Sequence, residues 1–364
     1  MGWGTLYRAR QSNEKFARWP TPGQVTVMKH PKENSRERTA RSKRGDDLSG
    51  QSRLPSFTRR GFLASIAAYS TSAWAGGVEQ QVPHSVGSAP PSLDAPANAC
   101  DCHHHIYDPR FPVSPHWRQG FPPGSTVSDY RLLQRRLGVT RSVVVQPSTY
   151  GVDNQCLIDA LRQLGSASRG VAVVDTGVQD ADLKQLAEAG VCGIRVNFVS
   201  PQTWGTTTSE MLASLGKRVA PFGWHVQILM TGDQIALHET VIRSLPTKVV
   251  IDHLGRIPEP GGVSHPGFAS VRRLLDTGRV WVKLTEPYED SKLGPPYKDT
   301  SEVARAYVRA APERMVWGTD WPHPTQRDTK PDDALLLDLL ADWAPDDVKR
   351  RRILVDNPDE LYGF

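Results

Sequence analysis

Cysteine is scarce in this 364-residue chain, confined to Cys100, Cys102, Cys156 and Cys192. Cys100 and Cys102 lie too close along one strand to bridge each other comfortably. Cys156 falls in a helical pattern and Cys192 opens a strand, so no disulfide framework emerges. None of the four carries the flanking pattern of a cysteine nucleophile. Long hydrophobic runs are missing too: the apolar stretch 64–75 is too short to span a bilayer as a stable helix. The body of the chain also lacks a positive excess. The formal net charge is +5, but residues 1–75 hold 14 Lys/Arg against 5 Asp/Glu, leaving 30 against 34 in the remainder. That removes most of the case for nucleic-acid binding. After the first strand stands Tyr107-Asp108-Pro109-Arg110. A glycine-rich phosphate turn is absent there, which argues against a doubly wound dinucleotide-binding sheet.

The front of the chain divides by composition. Residues 1–55 are charged, turn-rich and aperiodic, which predicts disorder or sequence upstream of the true start, with Met28 an internal candidate. Residues 56–75 contain Arg59-Arg60-Gly61-Phe62-Leu63, a short apolar run and Ala73-Trp74-Ala75. A basic pair, a modest apolar region and an Ala-x-Ala site predict an export signal of the twin-arginine type. The expectation is export by the twin-arginine machinery, cleavage near Gly76 and a periplasmic or secreted mature protein. Residues 76–99, rich in Pro, Ser and Ala, read as a linker, and 100–364 as one ordered domain.

Within that domain short β-branched runs alternate with helical patterns. Strands are predicted at 100–105, 141–146, 171–174, 193–198, 224–229, 248–253, 280–284 and 315–319. Helices are predicted at 128–137, 154–164, 181–189, 209–220, 234–244, 267–276, 300–310 and 331–343. Eight strands with a helix after almost every one predict an α/β fold, a (β/α)8 TIM-like barrel, possibly distorted. Such a barrel gathers polar groups where its strands end. Here those ends carry His103 and His105, Gln146 and Ser148, Arg195 and Asn197, His225 and Gln227, Asp252 and His253, Lys283 and Thr285, and Asp320.

In Asp101-Cys102-His103-His104-His105 the period of two places His103 and His105 on one face with Asp101, and Cys102 and His104 on the other. Two imidazoles on one face of a strand are costly unless they bind something. Counting back from the eighth strand puts Asp320 on its active-site face.

Seven pieces of the chain, DCHHHIYDP, VVVQPSTYGVDN, GIRVNF, GWHVQI, VVIDHLGR, VWVKL and WGTDWPHP, together resemble the amidohydrolase superfamily. The branch they are similar to contains 2-pyrone-4,6-dicarboxylate hydrolase and D-galactarolactone isomerase. The resemblance implies a distorted barrel and hydrolysis of a small, carboxylated lactone. In metal-dependent members the two strand-one histidines, a strand-five histidine and the strand-eight aspartate hold a divalent ion, often zinc. His103, His105 and Asp320 fit three of those places. The strand-five position nearest the active face is Gln227, with His225 one layer deeper, and an amide is a poor zinc ligand. The expectation is therefore metal-free chemistry, with zinc on His103, His105 and Asp320 as the alternative.

Under that expectation Asp320 is the general base and His103, His105 and His253 polarise the lactone carbonyl. The resemblance makes Arg195 the carboxylate-binding residue and Ser148 a second donor, with Gln227, Tyr150 and Arg118 as further candidates for substrate contact. Where relatives carry an arginine after strand seven, this chain has Glu289, which makes a dicarboxylate substrate less suitable. The competing readings are a lactone isomerase, a zinc hydrolase or decarboxylase on the same barrel, and a noncatalytic periplasmic binding protein.

Overall fold

The computed structural model describes residues 81–118 and 124–364. The expected disordered stretch 1–55, the export signal 56–75 and the start of the expected linker lie outside the described residues. Eight strands follow one another around a single sheet in sequence order. They are β1 (Cys100–His104), β2 (Arg141–Val145), β3 (Ser168–Ala172), β4 (Val191–Asn197), β5 (His225–Leu229), β6 (Val249–Ile251), β7 (Val280–Leu284) and β8 (Met315–Trp317). Each pairs in parallel with the next. The seam between β8 and β1 is made just beyond the β8 ladder. Asp320 N–H donates to the His103 carbonyl and His105 N–H to that of Trp321, both at 2.8 Å. The expected (β/α)8 barrel forms, near-closed, with its distortion at this seam.

Helices α1 (Val127–Leu137), α2 (Gln155–Leu164), α3 (Asp180–Glu188), α4 (Ser209–Val219), α5 (Gly232–Ser244) and α6 (Pro266–Leu275) surround the strands. A single turn, α7 (Pro287–Asp290), precedes α8 (Lys298–Ala310), and α9 (Asp333–Trp343) follows β8. Local sequence explains where the helices start. Thr126 with Asp129 and Thr231 with Gln234 form reciprocal capping boxes, and the Asp332 side chain accepts from Ala334 N–H. Two further helices, α10 (Asp347–Arg351) and α11 (Asn357–Tyr362), flank a π-helical stretch and close the chain. No described helix is long and apolar enough to cross a membrane.

Strands β1, β2 and β7 are buried at every position, as a parallel sheet covered on both faces requires. One core lies between sheet and helices. A second fills the lower barrel with Cys100, Cys102, Val143, Val145, Trp281 and the incoming Tyr362.

The strict alternation expected for β1 does not hold. Its pairing with β2 shifts register between Asp101 and His104. Asp101 and His104 both turn to Tyr130 of α1, the first by a 3.0 Å hydrogen bond and the second by ring stacking at 3.5 Å. His103 turns into the barrel, as Cys100 and Cys102 do. A β-bulge re-aims side chains in this way, which period-two counting cannot register.

Residues 81–99 carry no helix or strand and are fastened to the barrel. Trp321 Nε1 donates to the Pro83 carbonyl at 2.8 Å, and Leu93 N–H donates to Asp338 at 2.8 Å.

Candidate active site

The seam between β1 and β8 builds the centre of the site. At Gly318 a Cβ atom would come within 2.6 Å of the His103 main-chain nitrogen, so only glycine lets the two strands approach this closely. Asp101 locks the seam from outside, accepting from Thr319 N–H at 3.0 Å and from the Thr319 hydroxyl at 2.8 Å. Inside it, His103, His253 and Asp320, all buried, bring ligand-type atoms within 4.8 Å of one another. The backbone at His253, Glu286 and Asp320 is left-handed, with φ of +50°, +51° and +63°. Non-glycine residues rarely accept this conformation, and its clustering here marks a site whose geometry overrides local preference.

The hydrogen bonds assign directions. His105 Nδ1 is 2.8 Å from the Val145 carbonyl and must donate to it. In the neutral ring, Nε2 then carries a lone pair, and it faces Asp320 Oδ1 at 3.4 Å. Two acceptors at that distance call for a proton or a cation between them. His103 Nε2 stands 3.5 Å from the same oxygen and has no hydrogen-bond partner among the described residues. His253 engages the Thr285 hydroxyl through Nδ1 at 2.8 Å, leaving Nε2 available.

Beneath these imidazoles lies a charged layer. Lys283 Nζ, fully buried, donates to the Cys102 carbonyl at 2.8 Å and to Gln227 Oε1 at 2.7 Å, and lies 3.3 Å from His103 Nδ1. Asp252 Oδ2 accepts from Arg195 Nε at 3.0 Å and from Gln227 Nε2 at 3.1 Å. Its other oxygen is 3.4 Å from His103 Nδ1.

Burial lowers His103 well below the ordinary imidazole value, helped by Lys283 and opposed by Asp252. Burial also takes His253 down to about 4 and Lys283 down to about 8. Asp320 goes the other way from what burial demands. Its contact with His105, followed by those with the imidazoles of His253 and His103, holds it well below the usual carboxylate range. Glu286, against Asp320 and 3.3 Å from His253 Nδ1, is raised well above its ordinary value by burial and by that neighbouring charge. At neutral pH the centre therefore holds neutral His103 and His253 beside the ionised Asp320.

Above it opens a cavity of about 440 Å3, a size suited to a small molecule, lined among others by Trp117, Ser148, Arg195, Asn197, Arg256 and Glu289. Of the residues singled out in the sequence, His105, His253, Asp320, Ser148 and Arg195 line this cavity, and His103 lies directly under it. Gln227 does not reach it, because its amide is spent on Lys283 and Asp252 one layer below. Tyr150 is buried beneath the loop, its hydroxyl bonded to the Asp108 backbone. Arg118 is exposed and outside the lining.

The grouping of possible ligands also differs from expectation. The third partner comes from the end of β6, as His253, where His105 was expected. Gln227 in place of a strand-five ligand pointed to metal-free chemistry, but the site draws its ligand atoms from elsewhere. Two imidazoles and a carboxylate form a donor set that suits zinc, and the unpartnered His103 Nε2 fits a coordinating role. The cluster is compatible with holding a divalent ion. The sequence places Lys283 and Asp252 among the polar strand ends but assigns them no role, and Glu286 goes unmarked. A lone lysine in the otherwise apolar run Val280–Leu284 was the available signal for the first.

Comparison with known proteins agrees with this geometry. The amidohydrolase family model matches residues 100–364. The chain is 38% identical over 283 residues to 2-pyrone-4,6-dicarboxylate hydrolase of Comamonas testosteroni, covering 75% of this chain and 92% of that protein. It is 35% identical over 280 residues to 4-sulfomuconolactone hydrolase of Rhizobium radiobacter, covering 76% and 93%. A crystal structure of a protein from Agrobacterium tumefaciens superposes with a TM-score of 0.69 at 30% identity, covering 75% of this chain and 98% of that one. The chain belongs to the amidohydrolase family of hydrolytic enzymes.

Proposed function

We propose that this enzyme hydrolyses a small, carboxylated lactone to the corresponding hydroxy acid, with a divalent ion held by His103, His253 and Asp320. The observation that carries the reading is the convergence of these three buried groups under a cavity whose wall includes Arg195. Its similarity to two hydrolases of cyclic carboxylate or sulfonate substrates supports the substrate class. A divalent ion bound here polarises a carbonyl and lowers the pKa of a bound water.

The protein's own groups would do the rest. Asp320 Oδ1, ionised at neutral pH, accepts a proton from the attacking water. Arg195 is aimed by its Nε bond to Asp252, so its remaining guanidinium nitrogens can take the substrate carboxylate as a fork. The Ser148 hydroxyl, 3.2 Å from Asn197 Nδ2, would contact the same group. Across the cavity Arg256 is tied to Glu289 at 3.2 Å and to Asp290 at 2.9 Å. Its charge is answered from within the protein, which favours a substrate with one carboxylate over a dicarboxylate.

One observation favours a metal-free variant of the same reaction. If Lys283 donates to His103 Nδ1, then His103 Nε2 carries the ring proton and can polarise the carbonyl itself. A panel of carboxylated and neutral lactones in 18O-labelled water tests the reaction class. Ring opening with one labelled oxygen in the new carboxylate is the expected result. Rearrangement to another lactone without label would replace hydrolase by isomerase.

A further inference from the structure

The two oxygens of Asp320 have different surroundings. Oδ1 faces His103 and His105. Oδ2 instead accepts a 3.0 Å hydrogen bond from the Tyr288 hydroxyl. That hydroxyl lies 3.0 Å from His323 Nδ1, and His323 Nε2 lies 3.2 Å from Asp333 Oδ2. His323 and Asp333 are both 0% exposed.

The Tyr288 hydroxyl donates to Asp320 Oδ2. Its single O–H is then used, and the phenol oxygen can only accept at its contact with His323 Nδ1. His323 Nε2 in turn lies against Asp333 Oδ2. The chain ends on Asp333, the first residue of α9, where the helix N-terminus favours negative charge.

Burying His323 and Asp333 and half-burying Tyr288, from three separate segments, is costly unless every link is made, and a made network rigidifies what it touches. What this one touches is Asp320. We propose that Tyr288, His323 and Asp333 are positioning residues that hold Asp320 by Oδ2, leaving Oδ1 alone to face the imidazoles and the cavity. The inference rests on the reading of Asp320 as the reactive or ion-holding carboxylate.

The test is Tyr288→Phe in the full chain, which deletes the hydroxyl while keeping the ring contacts with His323 and Tyr297. Zinc affinity, read by chelator competition, should fall about 10–100-fold, the usual effect of losing a partner behind a ligand. The kcat for lactone opening should fall with KM little changed, and the melting temperature should move little. Asp333→Asn should act in the same direction more weakly. His323→Gln, whose amide can still donate to the phenol, should retain more of both properties than His323→Leu. In a crystal structure of the Tyr288→Phe protein the Asp320 carboxylate should be rotated or split between rotamers. An Asp320 carboxylate unmoved in that structure, or unchanged zinc affinity together with unchanged kcat, would overturn the proposal. A wild-type protein that takes up no zinc would count against the metal reading alone, because the kcat and crystallographic measurements still decide the role of Tyr288.

Discussion

The lower and upper halves of this barrel are both buried, and both contain histidine, yet only one half is a site. In the lower half His225 occupies the space left by Gly193, where a Cβ would come within 2.3 Å of its ring. It packs edge-on to Tyr362 at 5.3 Å, among cysteines and valines. Neither of its ring nitrogens has a hydrogen-bond partner among the described residues. In the upper half His103 and His253 sit among Asp252, Asp320, Glu286, Lys283 and Arg195. Burial alone makes a histidine neutral; convergence with carboxylates and fixed cations makes it useful.

The largest expected effect lies in the upper half. Asp320→Asn keeps nearly the same volume, so the barrel should fold, but it removes the negative oxygen. Steady-state kinetics should show a loss of about 10²–10⁴ in kcat, the usual range for a missing general base. A variant retaining wild-type kcat would move the chemistry away from the β1–β8 seam.

A smaller and more selective loss is expected one layer out. Arg195→Ala should weaken turnover of carboxylated lactones by about 2–5 kcal/mol, the scale for truncating one member of a buried charged pair. Neutral lactones should suffer much less. Equal losses on both would make Arg195 a structural partner of Asp252 and nothing more.

The smallest effect is on stability, and here the two halves should behave alike. In the fold His253 is held at about 4 and His225 at about 3, against an ordinary value of 6.5. As pH falls below 6.5 the unfolded chain takes up protons that the folded chain refuses, so stability should decline from about pH 6.5 towards pH 4 and below. His225→Leu should flatten that decline without lowering kcat. A variant with the full wild-type decline would show that His225 contributes nothing to it.

The sequence made part of this contrast legible. Strand ends carrying His103, His105, His253, Asp320 and Arg195 could be read because a parallel barrel exposes its polar groups there. The face of Asp101 could not, because the bulge in β1 is a tertiary accommodation to β8 and α1 that leaves no mark on local periodicity. Lys283 looked like one polar strand residue among several. Only the fold shows its ammonium under His103, joined to a main-chain carbonyl and to Gln227. The Tyr288–His323–Asp333 chain was hidden for a different reason: its members come from α7, the segment after β8 and the start of α9, and meet only when these are assembled. The C-terminal helices escaped because the charged run 349–352 interrupts any apolar repeat.

Under the proposed function the upper half of the barrel is an ion-holding hydrolytic centre. Elemental analysis of the purified protein, paired with turnover of a carboxylated lactone before and after chelation, is the sharpest test. A divalent ion close to one per chain, activity lost in chelator and activity restored by adding zinc are the expected results. Full activity in chelator from protein holding almost no metal would contradict this reading, and would leave His103, His105 and Asp320 to act on lactone and water unaided.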